Sequence, residues 1–208
     1  MKKLLKALAA AGVVAMFGAA VLPLATYAAT DTTTVQVTIG QECQIGGGGV
    51  GSGGAGNLSL NLSATTSLYG VANSTNGSNS IEVVCNNDTW TLTEQINAGS
   101  TVNLVGGTTA VSGFTPWTAA TGTGDASGFA DNTWAMRYAE VTPQTSNSVS
   151  ATSWHAVPAN GGTPVTIANG VATAGYEIQQ FFGAKTDGTL AADTYSSVVL
   201  YTLTGTNT

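Results

Sequence analysis

The chain has 208 residues, of which 11 are acidic and 5 are basic, for a formal net charge of −6. Three of the basic residues lie within the first six positions. The remainder therefore carries only Arg137 and Lys185 against eleven acids, a net charge of −9. A nucleic-acid-binding protein needs a basic surface to displace counterions from phosphates, and anionic membranes attract basic proteins. This charge balance excludes both as expected partners.

Residues Met1–Ala29 have the features of a signal peptide. Lys2, Lys3 and Lys6 precede the apolar stretch Ala7–Leu24, and small residues follow it as a cleavage site requires. The alternative is an uncleaved membrane anchor, because the apolar stretch approaches the length that spans a bilayer. We expect cleavage, which leaves one mature domain over 30–208. That domain would be exported to the periplasm, the cell surface or the medium, without insertion into a membrane.

The segment after the leader alternates between apolar and polar residues. Within Thr32–Ile39, the side chains of Val35, Val37 and Ile39 share one face, which predicts a β-strand leading into Cys43.

Two further stretches separate this strand from the next strong pattern. Gly46–Gly56 is almost entirely glycine but lacks the Gly-Lys-Ser/Thr ending of a P-loop, so it predicts a flexible loop. Asn57–Leu62 alternates through three leucines, and Thr65–Asn79 is polar and rich in turn-forming residues.

The strongest strand pattern in the chain lies at Ser80–Thr93. Alternate residues are apolar on both sides of Asn86-Asn87-Asp88, which are residue types that favour chain reversal. This predicts a β-hairpin. The expected inward side chains are Ile81, Val83, Cys85, Trp90 and Leu92.

The rest of the chain predicts more short strands and turns, with no sustained helical period. Many short strands joined by Gly- and Asn-rich turns predict an antiparallel β-sandwich. The further predicted elements are a hairpin from Val102–Val105 and Thr109–Val111, a loop at Phe114–Asp131, strands at Thr133–Glu140, Val149–Val157, Pro164–Ala168 and Tyr176–Ala184, a turn at Lys185–Asp193 and a strand at Thr194–Thr204.

The chain has two cysteines, Cys43 and Cys85. In an exported protein they are expected to form one disulfide, whereas in a reducing compartment they would be free thiols. The disulfide would close a loop of about 43 residues and stabilise the fold by roughly 4 kcal/mol in the chain-entropy model. No C-x-x-C motif indicates a redox role.

The order of these landmarks resembles the pilin-like immunoglobulin-fold domains of chaperone–usher pilins and spore coat protein U-like proteins. The similar features are Val-Gln-Val-Thr-Ile before Cys43, Ile-Glu-Val-Val-Cys ending at Cys85, and a closing strand Asp-Thr-Tyr-Ser-Ser-Val-Val-Leu-Tyr-Thr-Leu-Thr, with Asp193 where the family usually has Gly.

The resemblance implies an immunoglobulin-like sandwich with a Cys43–Cys85 disulfide, an incomplete sheet and polymerisation by strand exchange. The partners would then be further copies or related surface subunits, with a periplasmic chaperone and an usher. The candidate donor strand is Asp31–Gly40, with Val35, Val37 and Ile39 filling a neighbour's groove. The alternative is that this segment is the domain's own first strand.

Catalytic and metal sites are not indicated by the sequence. His155 is the only histidine and predicts a surface or strand-edge residue rather than a triad member. The carboxylates are scattered, which predicts no metal site and no cofactor. Together with the resemblance, this predicts a non-enzymatic structural subunit of a cell-surface fibre, pilus or coat. The alternative is a carbohydrate-binding or adhesin module that uses Trp117 and Trp154 as stacking aromatics.

Overall fold

The computed structural model describes residues 42–47, 58–74, 80–119, 122–141 and 143–207, all within the compact unit Ile39–Thr208. The leader Met1–Ala29 and the candidate donor strand Asp31–Gly40 lie outside the described residues, as does most of Gly46–Gly56. The described chain is all-β, as predicted, with a single short 3-10 turn at Ala126–Gly128. None of its helical structure is long enough to cross a membrane.

The strands of the described chain are mostly short, as the frequent turn residues predict. In order they are β1 Cys43–Gly47, β2 Tyr69–Asn73, β3 Ile81–Cys85, β4 Thr89–Ile96, β5 Leu104–Gly106, β6 Ser112–Pro116, β7 Thr133–Glu140, β8 Ser148–Val149, β9 Val165–Gly170, β10 Thr173–Lys185, β11 Tyr195–Ser196 and β12 Val199–Thr206.

The larger sheet curls around the thirteen-residue strand β10. Along one edge, the first part of β10 pairs with β3 and its second part pairs with β2. Its other edge pairs with β7, and the strand order is β1-β3-β10-β7-β6-β5-β11. All of these pairs are antiparallel except β6 with β7, which is parallel.

The smaller sheet is antiparallel and has the order β12-β4-β9-β8. Strand β12 lies at its end and pairs with β4 along its whole length, from Val199 opposite Ile96 to Thr206 opposite Thr89. In the described part of the chain β12 has no partner on its other side. No described strand therefore pairs with its backbone N–H and C=O groups on that side.

The predicted hairpin at Ser80–Thr93 is wrong, although both of its strands form. Strand β3 belongs to the larger sheet and β4 to the smaller one, so the turn at Asn86-Asn87-Asp88 carries the chain between sheets. The predicted inward side chains are all buried, at 0–1% exposure. Alternation shows which face of a strand is buried but not which strand lies beside it, and here it suits two sheets that share a core.

Other predicted elements are confirmed or shifted. Strand β7 has the predicted bounds. The second hairpin forms, but its second strand is β6 and not the predicted Thr109–Val111, which lies in the turn; β6 also extends into the predicted loop Phe114–Asp131. Thr65–Asn79, expected to be turns, contains β2, which is held by β10. In Val149–Val157, only Val149 belongs to a strand, and His155 makes an isolated bridge with Met136.

One hydrophobic core takes side chains from both sheets. The larger sheet contributes residues of β3, β7 and β10, including Trp134 and Tyr176, and the smaller sheet contributes residues of β4 and β9, including Trp90. The disulfide between Cys43 and Cys85 is present and joins β1 to β3 beside this core. This pairing confirms the expected bond.

Candidate functional site

A cavity of about 830 Å³ lies between the two sheets beside the start of β12. Its lining combines apolar side chains with polar ones such as Asn61 and Asp193. Strand β10 contributes Phe182 and Gln180, and β12 contributes Val199 and Tyr201. The alternating leucines of residues 58–62 form a further wall, although that stretch makes no strand. Their alternation reflects packing against the core rather than pairing in a sheet.

The free edge of β12 adjoins this cavity. The outward side chains of β12 alternate with the lining ones, and Leu200 and the neighbouring Val198 are 39% and 53% exposed. The eight residues of β12 include no charged side chain and no proline, which are the usual means of protecting a sheet edge from pairing. Among the described residues, this edge has neither a covering strand nor these protecting side chains.

A buried polar network runs from this cavity into the core. Tyr201 donates a hydrogen bond to the Gln180 side-chain oxygen at 2.7 Å, and its hydroxyl lies 3.0 Å from that of Tyr138. Tyr138 in turn donates to Glu94, and the other Glu94 carboxylate oxygen contacts Nε2 of His155. The Glu94 network thus links β4, β7, β10 and β12.

Glu94 is a charged residue type at a buried strand position, and the alternation of its strand indicates that burial. It follows Trp90 and Leu92 at the same period of two, and it precedes Ile96, so the strand directs it into the core. The Glu94 side chain is 0% exposed. A buried carboxylate needs hydrogen-bond donors, and Tyr138 and His155 supply them.

Of the two predicted positions for His155, a surface or a strand edge, the structure shows the second, since His155 forms a bridge with Met136 of β7. The His155 side chain is 15% exposed, and Nδ1 lies 3.0 Å from the carbonyl oxygen of Ser153. Burial lowers the pKa of His155, but the hydrogen bond to Glu94, the negative charge of Glu94 and the Ser153 carbonyl raise it by more. Both ring nitrogens therefore have partners within the fold.

The two tyrosines of the network stay protonated. Burial raises the pKa of Tyr138 well above its usual value, and the nearby charge of Glu94 raises it further. Burial and Glu94 raise the pKa of Tyr201 in the same way. Both hydroxyls are therefore hydrogen-bond donors over the physiological pH range.

An aromatic cluster, here called the outer aromatic cluster, covers the outer face of the larger sheet. Trp117 stacks on Phe129, Phe129 packs edge-on against Trp154, and the Arg137 guanidinium lies over the rings of Trp154 and Phe181 at 5.0 and 3.7 Å. Trp154 is 1% exposed, and its indole N–H donates to Gly124. The expectation of an exposed stacking face is thus corrected for Trp154, whereas Trp117 is partly exposed.

No metal centre forms among the described residues, where no three His, Cys, Asp or Glu side chains come together. Sequence reasoning missed Glu94, Gln180 and the two tyrosines as a connected group. Glu94 and Gln180 both stand at inward positions of strands, which was the available signal. No protein-family model matches the chain, and no curated protein matches it closely enough to be called a relative.

Proposed function

We propose that the protein is an exported, non-enzymatic structural subunit of a cell-surface fibre, pilus or coat, and that its sheet is completed by a strand from a neighbouring subunit. In this proposal the two sheets form an immunoglobulin-like sandwich, and Met1–Ala29 is removed as a signal peptide. Further copies or related subunits are the assembly partners, and a chaperone and an usher would serve before assembly.

The free edge of β12 beside the cavity is the observation that supports this proposal. A strand added there would pair with the backbone of β12 and direct alternate side chains into the space between the sheets. Apolar side chains would suit the part of the cavity that Phe182, Val199 and the leucines of residues 58–62 line. An added strand would also cover the exposed apolar residues at this edge.

The segment Asp31–Gly40 has the composition that such a strand needs. Val35, Val37 and Ile39 share one face, and the alternating residues are Thr and Gln. The segment has one charged residue, Asp31, at its end. It therefore combines an apolar face for the cavity with a polar face for solvent.

Other features agree with an exported, non-catalytic role. The disulfide is compatible with export to an oxidising compartment. His155, the single histidine, uses both ring nitrogens within the fold. Strand addition requires a peptide segment as its partner and does not require a bound substrate.

The experiment is to delete Asp31–Gly40 from the mature chain and to supply the same ten residues as a free peptide. We expect a folded monomer that forms no polymer and that binds the peptide. The control peptide carries Val35→Ser, Val37→Ser and Ile39→Ser, which preserves backbone pairing but removes the apolar face, and it should not bind. Unfolding of the deleted chain would show that the strand belongs to its own domain.

A second experiment examines assembly of the mature chain that retains Asp31–Gly40. Electron microscopy should show filaments, and a glycan array should show no binding. Monomers that bind sugars would reject the structural role and support the carbohydrate-binding alternative.

A further inference from the structure

Residues 150–158, here called the crossing segment, connect the two sheets. In the larger sheet, Met136 and His155 exchange backbone hydrogen bonds at 3.0 and 3.1 Å, and Tyr138 N–H donates to the carbonyl of Ala151 at 3.0 Å. In the smaller sheet, Ile96 N–H donates to Pro158 at 2.8 Å. The crossing segment therefore spans from β7 to β4.

Besides the buried side chains of Trp154 and Val157, one ionic contact anchors this segment to the core. His155 belongs to the crossing segment, whereas Glu94 belongs to β4 and is fully buried. The Ser153 carbonyl at Nδ1 can only accept a hydrogen bond, and an ionised carboxylate at Nε2 also only accepts. A neutral imidazole has one N–H, so both contacts are satisfied as hydrogen bonds only when His155 is the doubly protonated cation.

Two tyrosines are the other titratable groups next to this pair. The titratable side chains that contact it are Tyr138 from β7 and Tyr201 from β12, the latter through Tyr138. Both keep their protons, for the reasons given above. No lysine, arginine or second carboxylate makes a described contact with the pair.

We propose that Glu94 and His155 form a pH-sensitive clamp that holds the crossing segment across both sheets while His155 is protonated and releases it when His155 loses its proton. Loss of the proton leaves the imidazole unable to donate to both acceptors, and the Glu94 charge then stays buried with Tyr138 as its remaining donor. Release here means that His155 moves into water and that its backbone hydrogen bonds with Met136 break, while Trp154 and Val157 of the same segment stay buried. This proposal is independent of strand exchange.

The direction of the effect follows from linkage. The pKa of His155 is raised in the closed form, whereas a histidine in water has a pKa of about 6.5. The clamp therefore has its full stability below about pH 6.5 and loses it as the pH rises through the raised value. Each unit of elevation corresponds to a tenfold change in the closed-to-open equilibrium.

The test uses the wild-type chain and two independent measurements. Because His155 is the only histidine, an NMR titration of an untagged mature protein gives its pKa without ambiguity. Amide hydrogen exchange, corrected for the intrinsic rate, then gives protection factors for Met136 and His155 from about pH 6 to about pH 9. We expect the protection factors of Met136 and His155 to fall about tenfold for each unit by which the measured pKa of His155 exceeds about 6.5. The protection factor of Val83 in β3 should fall less.

Variants show whether the pH dependence of protection at Met136 comes from the Glu94–His155 pair or from a general change in the stability of the fold. His155→Gln and Glu94→Gln should each give protection at Met136 that does not change across this pH range. Asp131→Asn, which alters the exposed ion pair with Lys185, should behave like the wild type. A measured pKa at or below about 6.5, or an equal fall of protection at Met136 and Val83, would overturn the clamp, and the wild-type measurement decides this even if a variant does not fold.

Discussion

Cys43 and Cys85 lie directly opposite one another in the ladder between β1 and β3 and are joined by a disulfide. Strand β1 is an end strand of the larger sheet, with β3 as its one partner among the described residues. The bond therefore attaches to the core a short strand that is followed by a glycine-rich stretch.

Removing this crosslink should destabilise the protein substantially. The double variant Cys43→Ala/Cys85→Ala should lose about 4 kcal/mol of unfolding free energy, because the two cysteines are separated by 42 positions and the crosslink restricts the unfolded chain. Urea denaturation measures the loss, and non-reducing peptide mass spectrometry of the wild type should show no free thiol. Equal stability with and without the bond would contradict the prediction.

The Glu94–His155 pair should show strong coupling near pH 6. Glu94→Ala or His155→Ala alone should cost about 3–5 kcal/mol, because each leaves a buried partner without its opposite charge. The double variant Glu94→Leu/His155→Leu should cost less than the sum of the single changes, because no unpaired charge remains. A double-mutant cycle by urea denaturation measures this, and additive losses would mean that the pair is not coupled.

Asp193 should contribute to stability in a pH-dependent manner. Its carboxylate accepts hydrogen bonds from the backbone and hydroxyl of Thr109 and from the backbone N–H groups of Thr194 and Thr108, which lower its pKa to about 2. An aspartate in an unfolded chain has a pKa of about 3.9. The contribution is therefore present above that value and is lost as the pH falls through about 2.

The variant Asp193→Asn tests whether the stabilisation by this carboxylate is lost as the pH falls. Its melting temperature should lie below that of the wild type at neutral pH, and the difference should shrink as the pH falls below about 4. A difference that stays constant down to about pH 2 would show that the carboxylate charge is not the source of the effect.

Gly183 is required by the outer aromatic cluster. A Cβ atom there would lie 2.9 Å from Cη2 of Trp154 and 3.2 Å from Cε2 of Phe129. Gly183→Ala should therefore destabilise the protein by about 1–3 kcal/mol through overpacking. Gly124→Ala is the matched control, since its Cβ would meet nothing within 4 Å. Thermal unfolding compares them, and equal melting temperatures would contradict tight packing at Gly183.

The sequence predicted the buried faces of the strands well, because alternation is a local property. The bounds of β7 and the inward positions from Ile81 to Leu92 follow directly from it. It could not show that β3 and β4 belong to different sheets, because sheet partners are set by the whole core. Strand β2 was missed because its own sequence has no clear strand pattern, and its extended structure comes from pairing with β10.

The candidate site was less predictable than the fold. Neither Glu94 nor Gln180 was singled out from the sequence, yet their strand positions direct both into the interior. Their hydrogen-bond partners come from strands far apart in sequence, so no local pattern reveals the network. The cavity likewise exists only where β10, β12 and residues 58–62 meet.

Strand addition at β12 is tested most directly by amide hydrogen exchange along Val199–Thr206. In the chain lacking Asp31–Gly40, the β12 amides that point away from β4 should exchange freely, and the added Asp31–Gly40 peptide should protect them by forming a new ladder. The same amides should be protected in filaments of the full mature chain and unprotected in its dilute monomer. Protection in the dilute monomer would show that the strand pairs within its own molecule and would contradict assembly by strand exchange.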